Sequence, residues 1–276
     1  MTAPHTLDAL ADLLAGRRTA VLSGAGLSTD SGIPDYRGPR TRLVPRTPVL
    51  FDDFVRSADA RARYWARAAR GWSLIADARP NAGHRALARL ERAGLVAGVV
   101  TQNVDGLHQA AGARRVVDLH GRLDRALCLT CGRPETRAAV QAMIEAHNPG
   151  WTSDVVAPGR VAPDGDAEVD HTGFTAPVCP ACAGPIKPDV VFFGENVPRP
   201  RVAEAAAIVD GADALLVVGS SLTVYSGYRF VRQADAAGLP IAVVTLGETR
   251  GHRHAAVALD ASLGDVLPAL AERLGA

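Results

Sequence analysis

The chain of 276 residues has a single lysine, Lys187, and no long apolar run. None of its hydrophobic stretches approaches the roughly 18 residues that a membrane-spanning helix requires, so no membrane partner is expected. An excess of one charge is also missing: 30 basic against 29 acidic residues leave a formal net charge of +1. That balance carries no global electrostatic footprint for nucleic acid or an anionic membrane surface. A basic segment before residue 16 is lacking too, and Asp8 and Asp12 lie there instead, which argues against a secretory or mitochondrial leader. The expected location is the cytoplasm. Lysine scarcity accompanies Ala and Gly richness and reads as codon bias, with arginine supplying every other basic residue.

What is present is ordinary for a folded chain. Hydrophobic residues make up 47% and charged residues 21%, which excludes wholesale disorder. Short β-branched runs recur at Ala20–Leu22, Val96–Val100, Ala214–Val218 and Ile241–Leu246, as expected of strands buried on both faces. Helical stretches fall between them: His84–Ala93 stopping at Gly94, Arg201–Val209, Tyr228–Ala237 stopping at Gly238, and Asp265–Leu274 with Pro268 in its first turn. Alternation of strand and helix predicts an α/β fold with a doubly wound parallel sheet. Two stretches break that rhythm. One is an Ala/Arg-rich helical segment, Asp59–Trp72; the other holds all four cysteines and an irregular Gly/Pro/Asp-rich region, Asn148–Pro177.

Cys128-x-x-Cys131 and Cys179-x-x-Cys182 have the spacing of two metal-binding knuckles, and four thiolates would close a tetrahedron around zinc with no open position. Two disulfides or a redox-active pair are the alternatives, the first disfavoured in a reducing cytosol. The 47 residues between the pairs exceed the roughly 15–20 of a common zinc ribbon. Metal binding would supply much of the folding energy of this module.

The first strand runs into Ser23-Gly24-Ala25-Gly26-Leu27-Ser28-Thr29, where glycines at a strand-to-helix turn let backbone amides approach a phosphate. Thr29 stands where the ordinary dinucleotide fingerprint has its third glycine, so the alternative of a plain tight turn stays open. Ser31–Arg37 continues as a polar loop, and Thr101–His108 follows the second strand. Gly219-Ser220-Ser221 follows the third. Polar groups at the C-terminal ends of several strands mark the edge at which open α/β sheets bind ligands.

The run GAGLSTDSGIPDYR, then TQNVDGLH, His120-Gly121, the two CxxC pairs, KPDVVFFGE and GSSL stand in the order found in sirtuins, and the chain resembles that family over about residues 19–274. YSGYRFVRQA and APDGD are most similar to the branch holding the mitochondrial sirtuin-4 type and bacterial class II homologues. The resemblance implies a Rossmann-like NAD-binding domain made of residues 1–43, 81–125 and 187–276. It implies a helical insert over 44–80 and a zinc-binding module over 126–186. The implied activity is NAD-dependent deacylation of lysine in protein substrates, releasing nicotinamide and O-acyl-ADP-ribose. In that scheme the acyl oxygen attacks the nicotinamide ribose, and His120 then activates a ribose hydroxyl. Mono-ADP-ribosyl transfer is the alternative outcome of the same bond cleavage. A hydride-transferring dehydrogenase and a non-catalytic adaptor built on the cysteine module rank below it, and the many acids of residues 126–186 speak against the adaptor.

By the same resemblance His120 is the general base, with Asn103 and Asp105 beside it. Gln102, Asn103, Val104 and Asp105 surround the nicotinamide ribose, with Ile33 closing the pocket. Gly24, Ala25, Gly26, Ser28, Asp35, Tyr36 and Arg37 cradle the pyrophosphate and order the cofactor loop. Gly219, Ser220 and Ser221 face the adenosine, together with Thr245, Leu246, Gly247 and Leu263. Thr245 replaces an Asn common in the family, and its hydroxyl has a shorter reach. Val190–Glu195 reads as an extended segment, in which Val191, Phe193, Gly194 and Glu195 would meet the substrate peptide as an added strand. Tyr64 and Arg67, three apart on a helix, share a face. The pair matches a Tyr-x-x-Arg that recognises acidic acyl groups in desuccinylase-type sirtuins, so removal of carboxylate-bearing acyl groups is one expectation. An Arg-rich solvated helix with Tyr64 packed inward is the other. Oligomeric state is not legible.

Overall fold

The structure, a computed structural model, describes residues 6–36, 47–153 and 161–276. In chain order α1 (Leu7–Leu14) leads into β1 (Thr19–Ser23), and α2 (Phe51–Arg56), α3 (Ala58–Asp77) and α4 (Ala82–Arg92) precede β2 (Val96–Thr101). The short α5 (Leu107–Ala110) and β3 (Val116–Asp118) follow, then β4 (Gly121–Cys128), β5 (Pro134–Thr136), α6 (Arg137–His147) and β6 (Ile186–Val190). The last elements are α7 (Arg199–Asp210), β7 (Ala214–Val218), α8 (Tyr225–Ala236), β8 (Ile241–Val244), β9 (Val257–Leu259) and α9 (Leu263–Arg273).

Six strands form one parallel sheet in the order β3-β2-β1-β7-β8-β9. Every residue of β1, β2, β7 and β8 is buried, which is why their sequences read as continuous apolar runs. Alternate residues serve opposite layers. Val21, Val99 and Leu216 pack against Leu10 of α1, Leu87 of α4 and Leu270 of α9, whereas Leu22, Val100 and Leu215 pack against Ile208 of α7 and Phe230 of α8. Strand order reverses between β1 and β7, so the crevice for a ligand opens at their carboxyl ends.

Two local expectations change. The last helix starts at Leu263, two residues earlier than its pattern suggested, so Pro268 lies in its second turn and leaves the Gly264 carbonyl without its helical donor. Among the described residues no α-helix directly follows the glycine turn after β1. Two 3₁₀ turns, Ala25–Leu27 and Thr29–Ser31, stand there, too short to add a helix dipole.

The stretches that broke the rhythm pack on each other. β5, β4 and β6 form a three-stranded antiparallel sheet. Its ladder runs from Gly121 to Val190, across both edges expected for the cysteine module. Trp65 of α3 is buried beside it and donates its indole N–H to the Ile186 carbonyl at 2.9 Å. Arg137, also buried, stacks on Trp65 and Trp72 and donates to the Ala68 carbonyl.

Candidate active site

The ends of β1 and β7 interlock through their glycines. A Cβ on Gly24 would lie 2.8 Å from the Gly219 oxygen, and one on Gly219 would lie 2.5 Å from the Leu27 nitrogen. Gly24 N–H donates to the Val218 carbonyl and Gly26 N–H to that of Gly219. The sequence suggests a phosphate's approach as the reason for these glycines; the contact that demands them is one strand end against the other. This interlock forms one wall of a cavity of about 500 Å³, within the ordinary range of roughly 300–1,000 Å³ for small-molecule and cofactor pockets.

Asn103 binds the two loops together, donating to the Gly24 carbonyl and to Ser28 Oγ, each at 3.1 Å. Ser28 Oγ donates in turn to Asp105 Oδ2 at 2.6 Å, and the Leu107 amide donates to Asp105 Oδ1 at 2.9 Å. Burial pushes the Asp105 carboxyl upward, and these hydrogen bonds oppose the shift. Gln102 reaches across β1 to Ser220 Oγ at 2.7 Å.

His120 follows β3, and its tautomer can be derived. Nδ1 lies 3.0 Å from the Gln102 carbonyl, which can only accept, so Nδ1 carries the proton. Nε2 therefore has a lone pair and accepts from Ser226 Oγ at 2.7 Å, near the start of α8. Burial lowers the His120 pKa most, the charge of Arg201 lowers it further, and the Gln102 contact partly restores it. The imidazole is thus neutral and able to take a proton at neutral pH. Gly121 next to it sits at φ +83°, and a Cβ there would lie 1.9 Å from the Asp189 oxygen. Only glycine lets β6 come this close, so that the Val191 amide can donate to the His120 carbonyl at 2.8 Å.

The expected extended segment ends early. β6 stops at Val190, and Phe192–Glu195 forms a turn closed by the Glu195 amide on the Phe192 carbonyl at 3.0 Å. Lys187 holds that turn from behind, 2.9 Å from Glu195 Oε2 and with its ammonium over the Phe192 ring. Its burial keeps the one lysine of the chain away from solvent. Phe193 is 48% exposed at the rim, whereas Phe192 packs inward against Tyr64 at 4.9 Å.

The cavity brings together most of the residues singled out by sequence: Gly24, Ala25, Gly26, Ser28, Ile33, Asp35, Tyr36, Gln102–Asp105, His120, Val191, Phe193–Glu195, Gly219–Ser221, Thr245, Leu246, Leu263 and Tyr64. Gly247 is not on its wall; its amide binds Asp260 instead. Arg37 lies outside the described residues. Arg67 is also absent from the wall: it is 2% exposed, with Asp166 and Glu168 gripping its guanidinium. It therefore belongs to neither a solvated face nor the cavity surface. Sequence reasoning missed Ser226, Pro163, Asp164 and Asp166 on the wall; the last three lie within the irregular stretch, whose pattern carries no periodicity to place them.

The four cysteine sulfurs lie within 4.8 Å of one another, Cys128 and Cys182 being 3.5 Å apart and Cys131 and Cys179 3.8 Å. A tetrahedron with arms of about 2.3 Å has edges of about 3.8 Å, so the set fits zinc without rearrangement. Both knuckles use one hydrogen-bond pattern: the Cys128 and Cys179 amides donate to the carbonyls of Arg133 and Gly184, and Gly132 and Ala183 donate back to the cysteine carbonyls. With all four positions taken by protein, this is a structural zinc site.

Comparison with known proteins agrees with this geometry. The Sir2 family model matches residues 24–226. The NAD-dependent protein deacetylase 1 of Mycobacterium avium is 53% identical over 268 residues, 96% of this chain and 94% of that protein. The protein of the same name from Streptomyces coelicolor is 51% identical, covering 99% of this chain and 92% of its own length. A solved structure of Sir2 with a p53 peptide and NAD+ superposes with a TM-score of 0.77 at 31% identity, covering 98% of this chain and 99% of that one. The chain belongs to the Sir2 family. Among the described residues no helix is long and apolar enough to cross a membrane.

Proposed function

We propose that this protein removes acyl groups from lysine side chains of other proteins with NAD as co-substrate, as the names of its bacterial relatives imply for them. The observation that carries this reading is His120, whose unprotonated Nε2 lies at a cavity bounded by the β1/β7 crevice and by the Val191–Glu195 rim. When bound, the dinucleotide supplies a glycosidic bond whose cleavage leaves an electrophilic sugar and frees nicotinamide. Gly24, Ala25, Gly26 and Ser28 hold its phosphates in this reading, with Asp35 and Tyr36 on the same cavity wall. Ser220, Ser221, Thr245, Leu246 and Leu263 take the adenosine end. Asn103 and Asp105, joined through Ser28 Oγ, and Gln102, held on Ser220, orient the sugar, and Asp105 faces developing positive charge. His120 takes the sugar hydroxyl proton at Nε2 while its Nδ1–H stays on the Gln102 carbonyl, which spreads the resulting charge. Val191 and Gly194 offer backbone to a peptide, with Phe193 at the rim.

The division into a Rossmann-like domain, a helical insert and a zinc module is proposed on the same basis. Cytoplasmic action suits four thiols gathered for a metal rather than paired. The test is incubation with labelled NAD and an acetyl-lysine peptide, read by mass spectrometry. Free nicotinamide and O-acetyl-ADP-ribose are expected, and H120A should abolish peptide turnover while keeping the melting temperature. Transfer of label onto protein without loss of acetyl overturns the reading in favour of ADP-ribosylation.

A further inference from the structure

The lone pair assigned to take the sugar proton is engaged within the protein. His120 Nε2 accepts from Ser226 Oγ at 2.7 Å, and an unprotonated imidazole nitrogen has a single lone pair, in the ring plane. A second oxygen cannot approach it in line while Oγ stands there. Ser226 itself lines the cavity, and having donated its only proton it keeps two lone pairs with which to accept. Among the described residues its side chain makes no other hydrogen bond.

The first turn of α8 is shaped to make this contact. Gly227, next to Ser226, is buried against Gln102, and a Cβ there would overlap the Gln102 side-chain amide. Gln102 is the residue whose carbonyl takes the Nδ1 proton of His120, at 3.0 Å, and whose side chain donates to Ser220 Oγ at 2.7 Å. Ser220 Oγ also accepts the Leu222 amide at 3.2 Å, in the loop that leads into α8. A residue without a side chain thus lets the helix close on Gln102, and its neighbour then meets the opposite edge of the imidazole. The ring is held at both nitrogens.

We propose, on the lysine-deacylase reading, that Ser226 is a further catalytic residue: its hydroxyl takes the proton of the sugar hydroxyl and passes its own proton to His120 Nε2 in the same step. The sugar O–H bond breaks as a new O–H bond forms at Oγ, and the old Oγ–H bond breaks as Nε2–H forms. The net result is that of direct transfer, a sugar oxyanion and an imidazolium, with Ser226 left as a neutral hydroxyl. No serine oxyanion forms, because both protons move together, and Oγ keeps its place. A general base acts within hydrogen-bond reach or through one bridging water, and Ser226 stands where such a water would.

The test follows S226A of normal melting temperature at two stages, with NAD and an acetyl-lysine peptide. Exchange of labelled nicotinamide reports the bond cleavage that precedes the proton transfer, and it should stay within about threefold of wild type. Single-turnover formation of O-acetyl-ADP-ribose should fall by about tenfold or more, part of the roughly 100- to 10,000-fold that general base catalysis supplies. For that stage in the wild type, the rate plotted against the deuterium content of the solvent should bow, because two protons move together. A hydroxyl that only positions the ring gives a straight line. In ligand-free protein carrying isotopically labelled histidine, nuclear magnetic resonance should find the His120 proton on Nδ1, and S226A should move the Nε2 resonance. A straight isotope plot overturns the inference. So does unimpaired product formation in S226A, a loss of exchange as large as the loss of product, or an Nε2 resonance indifferent to the variant. A wild type that neither exchanges nicotinamide nor forms product fails the deacylase reading instead, and the histidine spectra then decide by themselves whether Ser226 occupies the base.

Discussion

Beneath the glycine turn, His84 and His108 lie in edge contact, ring centroids 5.1 Å apart, and both are fully buried. His108 Nε2 meets Ser23 Oγ at 2.8 Å, and His84 Nδ1 accepts the Asn81 amide in the capping box of α4. Nothing acidic compensates a proton on either ring. Burial lowers the His84 pKa from 6.5 to about 4, helped by the charge of Arg85, and lowers that of His108 from 6.5 to about 3, helped by His84. Both folded values lie below the unfolded one, so the unfolded chain binds protons first as the pH falls. The stabilisation is complete above pH 6.5 and is lost progressively toward pH 4 and 3. At pH 5 the loss is about 2 kcal/mol per histidine, at about 1.4 kcal/mol per pH unit below the unfolded value. A pair would cost about 4 kcal/mol, a large part of the roughly 5–15 kcal/mol that holds a domain folded. Urea unfolding followed by circular dichroism at pH 7 and pH 5 measures it. H108Q keeps a polar atom near Ser23 and removes one titrating group, so its drop between the two pH values should be about 2 kcal/mol smaller than that of the wild type. His120, whose pKa is also lowered, acts in the same direction in both proteins and cancels in the difference. A drop in H108Q as large as in the wild type would refute the assignment of acid sensitivity to this pair.

Two further outcomes follow from contacts near the active site. G121A forces a left-handed conformation and a clash on the Asp189 carbonyl, so it should cost at least about 2 kcal/mol in urea unfolding and lower turnover by displacing His120. Metal analysis of purified protein should find one zinc per chain, and a strong chelator should change tryptophan fluorescence. Trp65 is bonded to the Ile186 carbonyl just past the second knuckle, and Trp151 to the Ala66 carbonyl, so both report the loss of the metal module.

Much of the fold is legible in the sequence, because local pattern encodes it. Strands buried on both faces must be apolar along their centres, and β1, β2, β7 and β8 are. Gly94 and Gly238 end helices at positive φ, which few other residues adopt there. β3 and β9 escaped detection because three residues are too few to show a period. The turn at Phe192–Glu195 was hidden by its apolar composition, which reads as strand until Lys187 and Glu195 are seen to close it.

The sequence by itself determined which chemistry is available: two cysteine knuckles, a histidine before a glycine, polar groups after strands, and an arginine one turn from a tyrosine. Tertiary structure alone decided how each group is used. The tautomer of His120 is set by a carbonyl 18 residues away and a serine 106 residues away, and the charge of Arg67 is saturated by acids about 100 residues distant. Periodicity and propensity act between neighbours along the chain. Protonation and charge compensation depend on whatever the fold brings within about 3 Å, and no local pattern records that.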